Sequence, residues 1–147
     1  MAGMGWRHLL WDMGGTMIDT YPAVDATLAA VCADHGTPVE TTHVAHLTRR
    51  SIGDAIEELS RRLSIPATKF AEAYAALKKS WRTDPPPVMP GARALIARVR
   101  ELGGLNLVVT HRDRVSATTL LQAHILEVDD LLCAPDGYPR KPDPTMY

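Results

Sequence analysis

The chain has 147 residues, of which 46% are hydrophobic, and its formal net charge at pH 7 is −1. This length suffices for one modest core with an appended lobe. The near balance of charge, without a basic stripe interleaved with aromatic residues, argues against a nucleic-acid surface and favours a small-molecule partner.

The two cysteines, Cys32 and Cys133, lie far apart and have no C-x-x-C spacing, so the sequence predicts neither a zinc site nor a disulfide framework. The first eleven residues are broken by glycine and charged side chains and lack the apolar core of a signal peptide. No stretch approaches membrane-spanning length. We therefore expect a cytoplasmic protein with no membrane partner.

The first predicted element is a short apolar strand that ends just before Asp12. Ligands of open parallel sheets bind beyond the carboxyl ends of the strands. The pair Gly14-Gly15 allows a sharp turn whose backbone N–H groups can meet an anion. Asp12 is therefore a candidate nucleophile, although an isolated carboxylate before two glycines is about as often a surface residue that opens a turn.

Between residues 20 and 83 the apolar residues recur at helical spacing, which predicts four helices. The first begins near Pro22 and ends at Gly36, and the second is capped by Thr41 or Thr42. The third and fourth each present one apolar face, which we interpret as packing rather than as a ligand surface. The residues that carry this spacing are Val24, Leu28, Val31, Ile52, Ile56, Leu59, Leu63, Phe70, Tyr74, Leu77 and Trp81.

After three consecutive prolines at positions 85–87, helical and extended segments alternate. A helix that ends at Gly103-Gly104 precedes an apolar strand over residues 105–110. A further helix over residues 115–125 precedes a short strand over residues 131–134. This alternation predicts an α/β fold with a doubly wound, parallel, Rossmann-like sheet.

The predicted elements divide the chain into two parts. Residues 1–19 and 84–147 are expected to form the α/β core, and residues 20–83 an inserted, all-helical lobe. The candidate Asp12 belongs to the core, immediately before the point where the helical lobe is inserted.

Polar residues follow each of the predicted strands. In a parallel sheet the carboxyl ends of the strands lie at one edge, so these residues should lie at that edge. Asp12 follows the first strand, Thr110 ends the second and is followed by His111 and Arg112, and Lys141 lies in the loop after the third. Taken alone, a strand-end threonine more often bonds its own turn, and a loop lysine is more often solvated. Their order, however, resembles the first three signatures of the haloacid dehalogenase superfamily: a nucleophilic Asp, a strand-ending Ser or Thr, and a Lys beside a Pro.

The resemblance extends to the residues around these positions. The first signature of the superfamily, usually D-x-D-G-T with an acid shortly after it, is matched here by Asp12, Gly15, Thr16 and Asp19. The run from Arg140 to Pro144 resembles the K-P-x-P form of the phosphoglycolate-phosphatase-like branch. In that branch the cap is a helical bundle between the first and second signatures, which is where the helical lobe of this chain lies.

The resemblance implies a hydrolase that transfers a phosphoryl group from a small phosphorylated or anionic substrate to Asp12. Thr110 would hydrogen-bond a phosphoryl oxygen, and Lys141 would neutralise its charge while keeping Asp12 ionised. Magnesium would be the cofactor, held by Asp12 and the Gly14 carbonyl. The residues expected at the substrate are Gly15, Thr16, His111 and Arg112.

One position departs from the family in a way that concerns catalysis. Gly14 stands where most family phosphatases carry a second Asp, which protonates the leaving alcohol and then activates water. His111 or a substrate group would replace this function only in part. Three functions therefore remain open: a phosphatase with weak or lost activity, a phosphate-binding or interaction protein of the same ancestry, and a hydrolase of the haloacid dehalogenase type.

A second departure concerns the downstream part of the family pattern. No strand and no acidic G-D-x-x-x-D-like signature follow Pro144, and that signature supplies the remaining metal ligands in the family. The strand that bears it lies beside the first strand, so that strand would otherwise be an open edge. We expect either a fragment of a longer protein or a partner, including a second copy of the chain, that donates the missing strand.

Overall fold

A computed structural model describes residues 7–147. These residues form two compact units: the first contains the described residues up to Asp19 together with Arg82–Tyr147, and the second is Thr20–Trp81. The elements in chain order are β1 (Leu9–Trp11), α1 (Tyr21–Asp34), α2 (Thr41–Thr48), α3 (Ile52–Leu63), α4 (Ala67–Ser80), α5 (Ala92–Glu101), β2 (Asn106–Thr110), α6 (Arg114–Ala123) and β3 (Asp130–Cys133).

The first unit is built on a parallel sheet with strand order β1-β2-β3. Trp11 is paired with Val108, and Val108 with Leu131, so the carboxyl ends of all three strands lie at one edge. Helices α5 and α6 connect these strands in the alternating order that the sequence predicted. The parallel α/β fold is therefore confirmed.

A buried amide joins strands β1 and β2. Asn106 is fully buried at the start of β2, and its Oδ1 accepts a hydrogen bond from the Trp11 indole N–H at 2.9 Å. Its Nδ2 donates to the Ile96 carbonyl of α5 at 3.2 Å. A polar group in the interior is tolerated when it is hydrogen-bonded, and this one connects three elements of the unit.

The second unit is helical, and its core lies where α1 packs against α2 and α4. Val24, Leu28, Val44 and Phe70 are completely buried there. The same helix α1 also buries a carboxylate, Asp25, which is only 3% exposed. The periodic positions of α1 are thus confirmed as core, whereas the buried acid gave no periodic signal.

The buried carboxylate of the helical unit is satisfied by two donors. The Thr48 hydroxyl donates to Asp25 at 2.6 Å, and the Arg49 guanidinium donates to it at 3.3 Å. The guanidinium also lies over the Tyr21 ring, 4.1 Å from its centre. A buried charge needs such pairing, so the cluster fixes the end of α2 against α1.

Two element ends differ from the sequence prediction. The N-cap of α2 is Glu40, and the predicted capping residue Thr41 is already the first helical residue. The second strand begins at Asn106 rather than at Leu105, which is 44% exposed. Gly104, just before it, cannot carry a side chain, since a Cβ there would lie 1.6 Å from the Arg7 carbonyl oxygen.

Three further features bear on the sequence predictions. In the described residues β1 is an edge strand, and its Leu10 side chain is 54% exposed. Cys32 and Cys133 are buried free thiols, and burial raises the pKa of both. Within residues 7–147, no helix is both long and apolar enough to cross a membrane.

Candidate active site

The turn after β1 presents Asp12 and is held from within. The N–H groups of Met17 and Ile18 both donate to the Met13 carbonyl, at 2.9 and 3.0 Å. Gly15 has a φ of 76°, a conformation that glycine adopts without strain, and its N–H donates to the Ile18 carbonyl at 2.8 Å. Met13, Met17 and Ile18 are fully buried, so the turn has its own apolar anchor.

The segment that follows the prolines reinforces this turn. Ile18 forms an antiparallel bridge with Val88, and the N–H of Met89 donates to the Met17 carbonyl at 2.9 Å. The N–H of Asp19 donates to the Pro87 carbonyl at 2.8 Å. The main chain after Asp12 is therefore fixed on both sides. The sequence predicted the extended link but not this pairing, which joins residues about seventy positions apart.

Asp12 and Lys141 form an ion pair at the end of the sheet. The Lys141 ammonium lies 2.6 Å from Asp12 Oδ1, and the lysine side chain is 20% exposed against 46% for the aspartate. The Thr16 hydroxyl makes a longer contact of 3.5 Å with Asp12 Oδ2. The pair joins residues 129 positions apart, so the structure brings together two of the three predicted catalytic residues.

Thr110 ends β2 at the same edge of the sheet and is 3% exposed. Its Oγ1 accepts the main-chain N–H of Arg112 at 3.1 Å, which is the local turn bond that the conservative interpretation of a strand-end threonine predicts. A hydroxyl has one hydrogen to donate in addition to its acceptor sites. The turn bond therefore holds the Oγ1 atom and does not use its hydrogen.

His111 makes a contact that the sequence did not indicate. Its Nε2 accepts the main-chain N–H of Lys141 at 2.8 Å. Burial lowers the pKa of His111, and the positive charges of Arg140 and Lys141 lower it further, against an opposing effect of Asp12. These effects favour the neutral imidazole, and its Nε2 lone pair is committed to the Lys141 loop rather than to a substrate.

Two other residues that the sequence predicts at the substrate, Gly15 and Arg112, make contacts within the protein. The Gly15 N–H is engaged by the Ile18 carbonyl, so it serves the turn rather than an anion cradle. The Arg112 guanidinium donates to the Ser116 hydroxyl at 3.1 Å, in the first turn of α6. The Gly15 N–H is thereby occupied, whereas the Arg112 guanidinium has further donors, and a substrate-binding role stays a prediction for both residues.

A sequence model of the haloacid dehalogenase-like hydrolases matches residues 6–147. The chain belongs to this family. The ion pair between Asp12 and Lys141 joins the two residues whose surroundings resemble the first and third signatures of this family. No curated protein sequence matches the chain significantly.

Solved structures agree with the family on the fold. A hydrolase from Streptococcus pneumoniae TIGR4 is 24% identical, with a TM-score of 0.70, over 97% of this chain and 74% of that one. A predicted phosphoglycolate phosphatase from Haemophilus somnus 129PT is 13% identical, with a TM-score of 0.76, over 97% and 69%. A dehalogenase is 17% identical, with a TM-score of 0.68, over 98% and 69%. These similarities show the fold and do not distinguish phosphoryl from halide chemistry.

The donor atoms at this edge decide how a metal ion can be held. Residues 7–147 contain no group of three His, Cys, Asp or Glu side chains arranged to hold a metal. Asp12 supplies one carboxylate, and Gly14 supplies a main-chain carbonyl but no side chain. This set suits Mg²⁺, which keeps several waters and binds through one or two carboxylates together with substrate phosphate. It does not suit a metal held by protein side chains alone.

Proposed function

We propose that the chain is a phosphohydrolase of small phosphorylated metabolites that works through an aspartyl-phosphate on Asp12. The observation that supports this most strongly is the 2.6 Å contact between the Lys141 ammonium and Asp12 at the carboxyl end of the sheet. A lysine at this distance pairs with the carboxylate and puts a positive charge where a phosphoryl group would arrive. The fold by itself does not support phosphoryl transfer over dehalogenation, because a dehalogenase has a similar fold.

In the first step an oxygen of Asp12 forms a bond to phosphorus while the bond from phosphorus to the ester oxygen breaks. The leaving group departs as an alkoxide or phenoxide and takes its proton from water. In the second step water attacks the phosphorus, the bond to Asp12 breaks, and inorganic phosphate is released. Dividing the displacement in this way replaces one difficult step by two easier ones.

The chain supports these steps mainly through positioning and charge. The turn anchored by Met13 and Ile18 fixes the Asp12 main chain, and the Thr110 hydroxyl is held at the neighbouring strand end. The Lys141 ammonium neutralises the charge that accumulates on the phosphoryl oxygens. When Mg²⁺ is bound, by Asp12 and the Gly14 carbonyl, it supplies further charge neutralisation.

The absence of a side chain at Gly14 sets the substrate preference within this chemistry. A phenol of low pKa leaves readily as its phenoxide, whereas an alcohol of high pKa leaves slowly as its alkoxide unless a general acid protonates it. His111 does not fill the role, because its Nε2 is already bonded to the Lys141 N–H. We therefore expect aryl phosphates to be hydrolysed much faster than alkyl phosphates.

The test is hydrolysis of p-nitrophenyl phosphate with Mg²⁺ by the wild type, by Asp12→Asn and by Asp84→Asn. Asp84 is an exposed aspartate of the same unit and serves as the matched control. Turnover that is lost only in Asp12→Asn supports the proposal. Equal turnover by wild type and Asp12→Asn contradicts it.

The glycine at position 14 also supports a second candidate, a protein that binds phosphate without turning a substrate over. Calorimetric titration with inorganic phosphate separates the two functions when it is run beside the hydrolysis assay. Binding that disappears in Lys141→Ala and persists in Lys79→Ala, together with no turnover, identifies this second function. Lys79 is an exposed lysine at the end of α4.

A further inference from the structure

Lys141 is held by two contacts that go in different directions. Its ammonium reaches Asp12, and its main-chain N–H donates to the imidazole of His111 at 2.8 Å. The residue lies in a turn outside the regular elements, between the end of β3 and the short helix Pro144–Met146. On such a segment the lysine main chain must be held in place if the ammonium group is to stay beside one carboxylate oxygen.

The imidazole is itself rigidly placed. His111 directly follows Thr110, the last residue of β2, which is paired in parallel with Cys133 of β3. The hydrogen bond between His111 and Lys141 therefore ties a turn 30 positions further along the chain to the edge of the sheet. Met146, five positions further on, packs against Val109 of β2, and at Lys141 itself the bond to His111 adds a main-chain contact to that of the long, flexible side chain.

We propose that His111 is a positioning residue: by accepting the Lys141 main-chain N–H at Nε2, it fixes the turn that presents the Lys141 ammonium to Asp12. The effect of His111 on catalysis rests on the proposed function. The effect of His111 on the position of Lys141 does not depend on that function. His111 acts through Lys141 in place of direct contact with substrate or proton transfer.

The hydrogen bond dictates one form of the imidazole. An atom that accepts an N–H bond carries no proton, so Nε2 must be unprotonated and, in a neutral ring, the proton lies on Nδ1. The lowering of the His111 pKa by burial and by Arg140 and Lys141 is consistent with a neutral ring. The tautomer is therefore an observable that does not depend on turnover.

Three variants separate positioning from other roles. His111→Gln places an amide oxygen three bonds from Cβ, the same separation as Nε2, and so keeps the acceptor without an imidazole. His111→Leu keeps bulk and removes the acceptor. His46→Leu removes an exposed histidine of α2 and is the control for the loss of a histidine elsewhere.

The structural measurements are made on the whole chain by nitrogen-15 NMR. We expect the wild-type His111 to show a protonated Nδ1 and an unprotonated Nε2, and the Lys141 amide to exchange slowly with solvent. Loss of one hydrogen bond should speed that exchange about tenfold in His111→Leu, while His111→Gln should exchange at the wild-type rate. A protonated Nε2 in the wild type, or fast exchange in His111→Gln, overturns the proposal, and the first of these needs no folded variant.

The catalytic consequence is measured as kcat with p-nitrophenyl phosphate. A charged group displaced from its productive position costs about 10- to 100-fold, so kcat should fall by that factor in His111→Leu and return in His111→Gln. A kcat that falls equally in both variants contradicts positioning and indicates that the imidazole itself takes part. If the wild type shows no turnover, the proposed function fails, and the NMR results still decide the role of His111.

Discussion

Replacing Gly14 by aspartate would supply the carboxyl group that the turn after β1 lacks. The backbone permits the change, because Gly14 is not among the glycines with positive φ and its pairing with Ile18 uses only main-chain atoms. The new carboxyl would stand two residues after Asp12. In Gly14→Asp we therefore expect faster hydrolysis of alkyl phosphates, whose leaving groups need a proton.

The size of the effect follows from what surrounds Asp12. In the described chain the side chains that hydrogen-bond Asp12 are Thr16 and Lys141, neither of which is a carboxylic acid. The contribution of a general acid is therefore missing as a whole. It is worth about 10²- to 10⁴-fold in rate, which corresponds to roughly 2.7 to 5.4 kcal/mol of activation free energy.

The assay compares kcat/KM for an alkyl phosphate and for p-nitrophenyl phosphate in wild type, Gly14→Asp and Gly14→Asn. The asparagine variant has nearly the same size but carries no acidic proton, so it controls for the added side chain. We expect a gain with the alkyl ester in Gly14→Asp alone and little change with the aryl ester. A gain of equal size in Gly14→Asn, or none in a folded Gly14→Asp, would refute the reasoning.

Three further predictions concern charge and stability. Lys141→Ala should lower kcat/KM about 10²- to 10³-fold, because it removes a charged group aimed at the reacting oxygens, and should hardly change the melting temperature, because partly exposed ion pairs contribute little. Asp25→Ala should lower the free energy of unfolding by about 1 to 3 kcal/mol in a urea titration, since Thr48 loses a buried charged acceptor; an unchanged midpoint contradicts this. The pKa of His111 is lowered in the folded state, so the unfolded chain binds more protons there and stability falls as the pH drops below about 6.5. Thermal unfolding of His111→Gln should show a weaker loss below that pH, and an identical pH profile would contradict the assignment.

The layout of the fold was predictable because recurring or consecutive apolar residues mark its elements. The apolar spacing of Val24, Leu28 and Val31 fixed the buried face of α1, and the apolar run before Thr110 predicted β2. The buried polar contacts were not predictable in this way. Asn106 bonds Trp11 across 95 positions, and a residue type alone does not indicate such a partner.

In the candidate site, too, some residues were predictable from the sequence and some contacts were not. Strand-end placement together with the resemblance to the family's signatures predicted Asp12 and Lys141 as site residues, and the structure joins them at 2.6 Å. From the sequence we predicted that His111 contacts the substrate. In the structure its Nε2 accepts the Lys141 N–H. That contact depends on how the last loop folds back to β2, and the sequence gives no local pattern for it.

The central claim is that Asp12 becomes covalently phosphorylated during turnover. Rapid acid quench of the wild type with p-nitrophenyl phosphate and Mg²⁺, followed by peptide mass spectrometry, tests it directly. We predict a phosphoryl group on the peptide that contains Asp12 and none on that peptide in Asp12→Asn. Steady turnover without a phosphorylated peptide, or phosphorylation that persists in Asp12→Asn, would contradict the account.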